Sequence, residues 1–350
     1  MPYKMCYVDA DTALFRCAKS CQEDYIIVKH KTVNWEKEFR NVTEFYGTKR
    51  KTKDGGWIEL ENKNRAIKNK PPISYEMFDI FEHSRLLDEK EKVLDQAVEN
   101  FDRFVGKIKK HSEAEDYKLC IGGEGNWRYE VATILPYKGN RKAKPLLFLE
   151  FKERIIDKYK NKIIVVDNRE VDDYLGIVGF KNYQNYLKTK QWDNVLSFVD
   201  KDLQMIISPH FNYDKIEEGI TITTPTLAAQ RFCPQLLSGD KSTDNIQGLP
   251  TLTRELQEKY KLRKVNGIGK DTANKLVEGK SIKECFELVV ECYKAYYGED
   301  KKEFVSFSGV KYQYNWLDYI KENALLLFMQ RSEGEFYDIE DTFKRLKINY

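Results

Sequence analysis

Short apolar runs recur along the first two-thirds of the chain, each bounded by polar or turn residues. Residues 4–8, 118–121, 162–166 (KIIVV) and 195–199 (VLSFV) have the length and β-branched content of buried strands. Between them the apolar spacing lengthens to helical. Val93, Leu94, Ala97, Phe101, Phe104, Val105 and Ile108 predict a helix over residues 88–110. Further helices are expected from the first strand to about residue 20, over 171–180 and over 226–238, with a strand pair in 205–224. Beyond residue 240 the pattern is mostly helical. Residues 30–85 show little apolar periodicity and read as an insertion, closed by Pro71-Pro72. A Gly55-Gly56 turn flanked by Phe45, Tyr46 and Trp57 predicts a hairpin within it.

Strands alternating with helices imply an α/β fold with a mainly parallel, three-layer sheet. A chain of 350 residues has the material for two lobes. No apolar run approaches the roughly 18 residues of a membrane span, and mean hydropathy is −0.65. The start, MPYKMCYVDAD, carries no basic region followed by an apolar stretch, so no export signal is expected. The seven cysteines form no C-x-x-C spacing, and Cys17 and Cys21 fit packing on one helix, as in a reducing cytosol. Net charge is only +3, but it is unevenly spread. Residues 47–70 hold eight Lys/Arg against three acids, residues 136–162 nine against three, and residues 254–280 eight against four. Such stretches suit a phosphodiester ligand when they alternate with acidic motifs; singly, each is also an ordinary solvated face.

Carboxylates stand just after the apolar runs: Asp9 and Asp11 in YVDAD, Glu170, Asp172 and Asp173 in EVDD, Asp200 and Asp202 in VDKD. Asp240 and Asp244 follow in GDKSTD. Two carboxylates about 4 Å apart repel by roughly 4 kcal/mol at an effective dielectric near 20. A converged set therefore requires divalent cations, and oxygen-only donors select magnesium or manganese. On a two-residue period Asp200 and Asp202 would project to one side. Glu170 and Asp173 would share a helical face, with Asp172 joining if Glu170 lies just before the helix. Either motif alone also fits simple acidic charge at a helix start. In residues 265–276 (VNGIGKDTANKL), Gly267 and Gly269 precede a helix opened by Lys270. That arrangement exposes backbone N–H groups to a phosphate, or is simply a tight turn.

Two of these motifs are also similar to the aspartate-nucleophile phosphatases of the haloacid dehalogenase class, with D-x-D-x-T after a strand and a later G-D-x-x-x-D. Asp9 would then be nucleophile, Asp11 general acid, and Asp240 and Asp244 magnesium ligands. Against this, LAAQRFCPQLLS before Gly239 is helical in character, and EVDD and VDKD are left unused.

Taken in order, YVDAD, NWRYEVATILPYKGNRKAKP, EVDDYLG, VDKD, GDKSTDNIQG and NGIGKDTA resemble the 5′-nuclease family, above all its small phage 5′→3′ exonucleases alongside the flap endonucleases. The match spans residues 7–273. The resemblance implies a PIN-like α/β nuclease domain over residues 1–239 and a helical lobe over 240–350 containing a helix–three-turn–helix element. It implies two Mg2+ or Mn2+ ions, with Asp9, Glu170 and Asp172 belonging mainly to one. Asp173, Asp200, Asp202 and Asp240 would be shared with or support the other, with Asp244 completing the motif. Lys138 and Arg141 match the family's basic pair and would stabilise charge on the scissile phosphate. Arg128, Tyr137, Lys142 and Lys144 would contact the strand near the cut, Trp127 stacking or serving as core. Gly267, Gly269 and Lys270 would grip the duplex backbone, with K+ at that turn. The implied substrate is DNA with a 5′ end or flap, or an RNA–DNA hybrid, in phage replication or recombination. A monomer in the host bacterial cytoplasm, working with a replication-protein partner, is the accompanying expectation; a non-catalytic branched-DNA module is the remaining alternative. Three departures stand out. Gly123 occupies the slot of an acid after the second strand, Asp240 and Asp244 are four apart where three is usual, and TLTRELQEKYKLRKV separates QGLP from NGIG.

Overall fold

The structure, a computed structural model, describes residues 2–47, 55–262 and 267–350. Its strands are β1 (Tyr3–Asp9), β2 (Gln22–His30), β3 (Glu36–Phe39), β4 (Phe78–Leu86), β5 (Ala114–Gly122), β6 (Ile163–Val166), β7 (Asn194–Ser197), β8 (Pro209–Phe211), β9 (Thr221–Ile222), β10 (Lys302–Val305) and β11 (Lys311–Tyr314). Its helices are α1 (Asp11–Lys19), α2 (Val42–Tyr46), α3 (Trp57–Ile67), α4 (Lys90–His111), α5 (Arg128–Val131), α6 (Phe148–Lys158), α7 (Val171–Thr189), α8 (Pro225–Ser238), α9 (Arg254–Lys259), α10 (Lys270–Val277), α11 (Ile282–Tyr297), α12 (Trp316–Leu327) and α13 (Ile339–Leu346). No described helix is long and apolar enough to cross a membrane.

Two compact units divide the chain. The first comprises residues 1–12, 104–143 and 159–350. Its sheet runs β6-β5-β1-β7-β8-β9, parallel throughout except for the β8–β9 pair. The expected mixed α/β architecture with a mainly parallel sheet is therefore present. β1 lies inside the sheet, paired with β5 on one edge and β7 on the other; Cys6 and Val8 on one face are fully buried and Tyr7 on the other is half-buried. Strand succession runs one way from β1 to β5 to β6, then crosses back to β7 on the other side of β1. The switch point thus falls between β1 and β7, and in open parallel sheets the crevice at such a point, beyond the strands' carboxyl ends, is the place where ligands bind. Helix α7 packs against β1, β5 and β7, its close seat on Ile206 possible because Gly179 has no side chain. After Asp240 the chain is helical apart from the β10–β11 hairpin, which the apolar pattern did not reveal. Phe232, Phe286, Trp316, Ile320 and Phe343 join α8, α11, α12 and α13 in one apolar core. The boundary expected at 239/240 lies inside this unit.

The second unit, residues 13–103 and 144–158, holds the antiparallel sheet β3-β2-β4. The presumed insertion is thus folded, with Phe39, Phe45 and Phe78 buried and Trp35 stacked on Trp57 at 4.8 Å. No hairpin turns at Gly55-Gly56: Gly56 is the N-cap of α3, and residues 48–54 of that expectation lie outside the described ones. The aromatic spacing was read as strand pairing, whereas the rings fill a core between sheet and helices.

Candidate carboxylate site

The acidic motifs gather toward the carboxyl edge of the parallel sheet, with Asp11 and Asp173 each taken up by a partner of its own. Asp9 ends β1 and is 5% exposed. Glu170 follows β6 as the N-cap of α7, with Asp172 and Asp173 in the first turn. Asp200 and Asp202 follow β7, and Asp240 and Asp244 follow α8. Asp11 accepts the N–H of Gly122, the last residue of β5, at 2.9 Å.

Each of these groups feels the charge of the others. Burial, then Asp11, Asp200 and Glu170, push the Asp9 carboxyl up to about 8. Burial, then Asp200, Asp240 and Asp244, raise Asp202 to about 7, with the nearby Lys270 ammonium opposing them. Asp172 is raised well above the carboxylate range by burial and by Glu170, Asp200 and Asp9. Burial also raises Asp244, against the pull of Lys138 and Arg141. Glu170 goes the other way: burial works to raise it, but Lys138, Arg128 and Arg141 overcome that and hold it below its ordinary value.

Two segments hold these acids. In the first, residues 136–141 dock on the loop that carries Asp240 and Asp244. The Lys138 N–H donates to the Asp244 carbonyl at 2.9 Å, and Asn245 donates to the Pro136 carbonyl at 2.9 Å. This sets the Lys138 ammonium against Glu170 and 3.7 Å from Asp244. Arg141 reaches Asp244 at 3.3 Å with half of its side chain in solvent. In the second, Asn126 donates to Glu170 at 2.6 Å, and the Tyr137 hydroxyl lies 3.2 Å from both Glu170 oxygens. Asn126, although it opens the NWRYEV stretch, and Gln235, which donates to Asp202, were given no role by the sequence, since neither carries a charge.

Several expectations need correction. β7 ends at Ser197, so Asp200 and Asp202 do not share a strand face; the chain turns so that Asp200 accepts the Asp202 N–H at 2.9 Å. Asp173 is not among the converging acids. It is fully buried in a pair with Arg128, which donates to it at 2.8 Å, and it accepts the Gln330 N–H at 3.1 Å. Arg128, 1% exposed, also donates to the Leu326 and Phe328 carbonyls at the end of α12, at 2.9 and 2.8 Å. Neither it nor Tyr137, 5% exposed, faces a nucleic acid. Trp127 packs edge-on to Phe336 at 5.1 Å. Lys142 is exposed; Lys144 is exposed too but belongs to the second unit, its ammonium over the Phe148 ring. Gly269 caps α10, placing Lys270 in its first turn. Gly267 is described, but residues 263–266 before it lie outside the described ones. At Gly123 a Cβ would stand 1.8 Å from the Asp167 Oδ1, so a side chain there would have to displace Asp167. The exposed Asp167, which accepts the Glu124 N–H at 2.9 Å, takes the space of the acid absent there.

Among the described residues no three His, Cys, Asp or Glu side chains already enclose a cation. The donor chemistry nevertheless suits one. The site is built of carboxylate oxygens, and among the described residues the buried Oε1 of Gln235, whose amide donates to Asp202, has no partner. No protein-family model and no curated protein matches this chain.

Proposed function

We propose that this protein is a divalent-cation-dependent 5′ nuclease, a 5′→3′ exonuclease or flap endonuclease that hydrolyses phosphodiester bonds of DNA and of RNA–DNA hybrids. In this reading its first unit is PIN-like, and the segment opening α10 is part of a helix–three-turn–helix element. The observation that carries it is the gathering of Asp9, Glu170, Asp172, Asp200, Asp202, Asp240 and Asp244 at the switch point of a parallel sheet, beside two basic side chains.

Asp9, Glu170 and Asp172 would hold one ion, and Asp200, Asp202 and Asp240 the other. Bound ions of this kind lower the pKa of water and offset charge on the attacking and leaving oxygens of an in-line displacement. The chain's own residues supply the rest. Asn126 and Tyr137 fix the Glu170 carboxylate, and Gln235 fixes Asp202. Arg141, with its guanidinium half-exposed beside Asp244, would meet a scissile phosphate, and Lys138, paired with Glu170, would be free to turn to that phosphate if bound cations neutralised the acids. Lys270, near Asp202, extends the positive wall.

End-labelled duplex, flap and hybrid substrates in magnesium test the reading. Release of 5′ products is expected, and Asp200→Ala with Asp202→Ala should abolish it while DNA binding in calcium persists. Undiminished cutting by the double variant refutes the assignment. An acid-stable phosphoryl group on Asp9 would favour the phosphatase instead.

A further inference from the structure

A cavity of about 460 Å³ opens in the first unit away from the acids just described. Phe180, Phe232, Phe286 and Tyr337 contribute aromatic walls, and among the described residues the charged ones lining it are Arg331 and Arg345. Glu335 satisfies Arg331 at 2.6 Å, and its guanidinium lies over the Phe328 ring at 4.8 Å. Arg345 is exposed and, among the described residues, pairs with no carboxylate; it donates a 3.4 Å hydrogen bond to the Thr342 hydroxyl. An apolar slot of drug-like size with one uncompensated cation at its rim is complementary to a flat, apolar organic anion.

Three elements connect this slot to the acids. Helix α7 starts beside Glu170 and Asp172 and lines the cavity with Gly176 and Phe180. The 3-10 turn Asp202–Met205 begins with Asp202 and ends in the wall at Met205. Helix α8 passes the cavity at Ala229 and Phe232, places Gln235 on Asp202 and runs out into Asp240. We propose that the cavity is a regulatory site for a small aromatic carboxylate or sulfonate, whose occupancy shifts the carboxylates at the other ends of these elements. The coupling rests on the nuclease reading; the binding does not.

The probe is 8-anilinonaphthalene-1-sulfonate, titrated into the full chain and followed by its fluorescence. One saturable site is expected. Ala229→Trp, filling the slot, should remove it, and Arg345→Ala should weaken it about tenfold, the loss of one charged contact. Thermal melts establish that each variant is folded, and Ala228→Met replaces Ala229→Trp if the latter is not. Dye binding that ignores both the filling and the charge variants overturns the site. Free Mn2+, read by electron paramagnetic resonance, tests the coupling: the dye should change manganese affinity about threefold or more in the parent and not in the filled variant. Unchanged affinity at saturating dye overturns the regulation. A chain that binds the dye but no manganese overturns the nuclease reading and the coupling together, and leaves the binding site supported.

Discussion

At the scale of single residues the site is a balance of like charges held apart without cations. Asp9 near 8 and Asp202 near 7 keep protons in the folded state that free carboxyls release near pH 4. Groups raised in this way contribute stability that is complete below their unfolded pKa and is lost as pH rises through the folded one. Metal-free protein should therefore lose about 3 °C or more of melting temperature between roughly pH 5 and pH 8. Saturating Mg2+ or Mn2+ should restore it, most at the upper end. Thermal denaturation with and without chelator measures this, and a flat metal-free profile contradicts the clustering. Arg128 makes the opposite case. Its sequence neighbours, Trp127 and the basic run beyond, read as a DNA-facing surface, yet its partners are Asp173 and carbonyls some 200 residues away. Nothing local announces such a contact. Arg128→Met strands a buried carboxylate and should destabilise the fold by about 3–5 kcal/mol, measured by denaturant unfolding. A loss under 1 kcal/mol, the scale of an exposed ion pair, would mean the pair is not dry.

Among elements, strands were legible and their ends were not. The apolar runs at residues 4–8 and 118–121 fall within β1 and β5, and that at 162–166 overruns β6 by Lys162 alone, because short runs rich in β-branched and buried residues mark strands. VLSFV was read two residues too long, since Phe198 is buried in a turn as thoroughly as in a strand. The β10–β11 hairpin escaped because Phe304, Tyr312 and Tyr314 stack on one another at the surface of a helical region. The loop around Asp240 shows what glycine does for the site. Asp240 and Ile246 exchange backbone hydrogen bonds at 2.9 Å, and Gly239 and Gly248 cross beneath them with positive φ. A Cβ on Gly248 would stand 2.2 Å from the Gly239 nitrogen. Gly248→Ala cannot be absorbed by a side-chain shift, so the loop must open, displacing Asp240 and Asp244. A stability loss of about 2 kcal/mol or more together with near-complete loss of cutting is expected. Full activity in this variant would show that the loop's closure does not position its acids.

Over the whole molecule, sequence order was legible where spatial partition was not. Contiguous domains are the natural reading of a motif series, but the chain leaves the first unit at about residue 12, returns at 104, and leaves again for 144–158. Only contacts between distant segments define such a division. Charge behaves similarly. A net charge of +3 gives no hint of a polyanion ligand, because the acids that would bind cations cancel the lysines and arginines in the sum. If two divalent ions bind as proposed, that cancellation would end around the site, and Arg141 and Lys270 would face a neutralised floor. Affinity for DNA should then depend on cation and salt together. In Ca2+, which supports binding without rapid chemistry in the proposed scheme, log affinity should fall linearly with log salt. The slope should be near −4, as for about five phosphates, with little preference among sequences. Without divalent cations the acids would repel the strand and binding should weaken about tenfold or more. Arg141→Ala should flatten the slope by about one and also slow single-turnover cutting, since its guanidinium would both touch and polarise the phosphate. Fluorescence anisotropy across a salt series reads the first, and rapid quench the second. A slope that is the same with and without cations would mean that DNA, if bound, lies elsewhere than over the carboxylates.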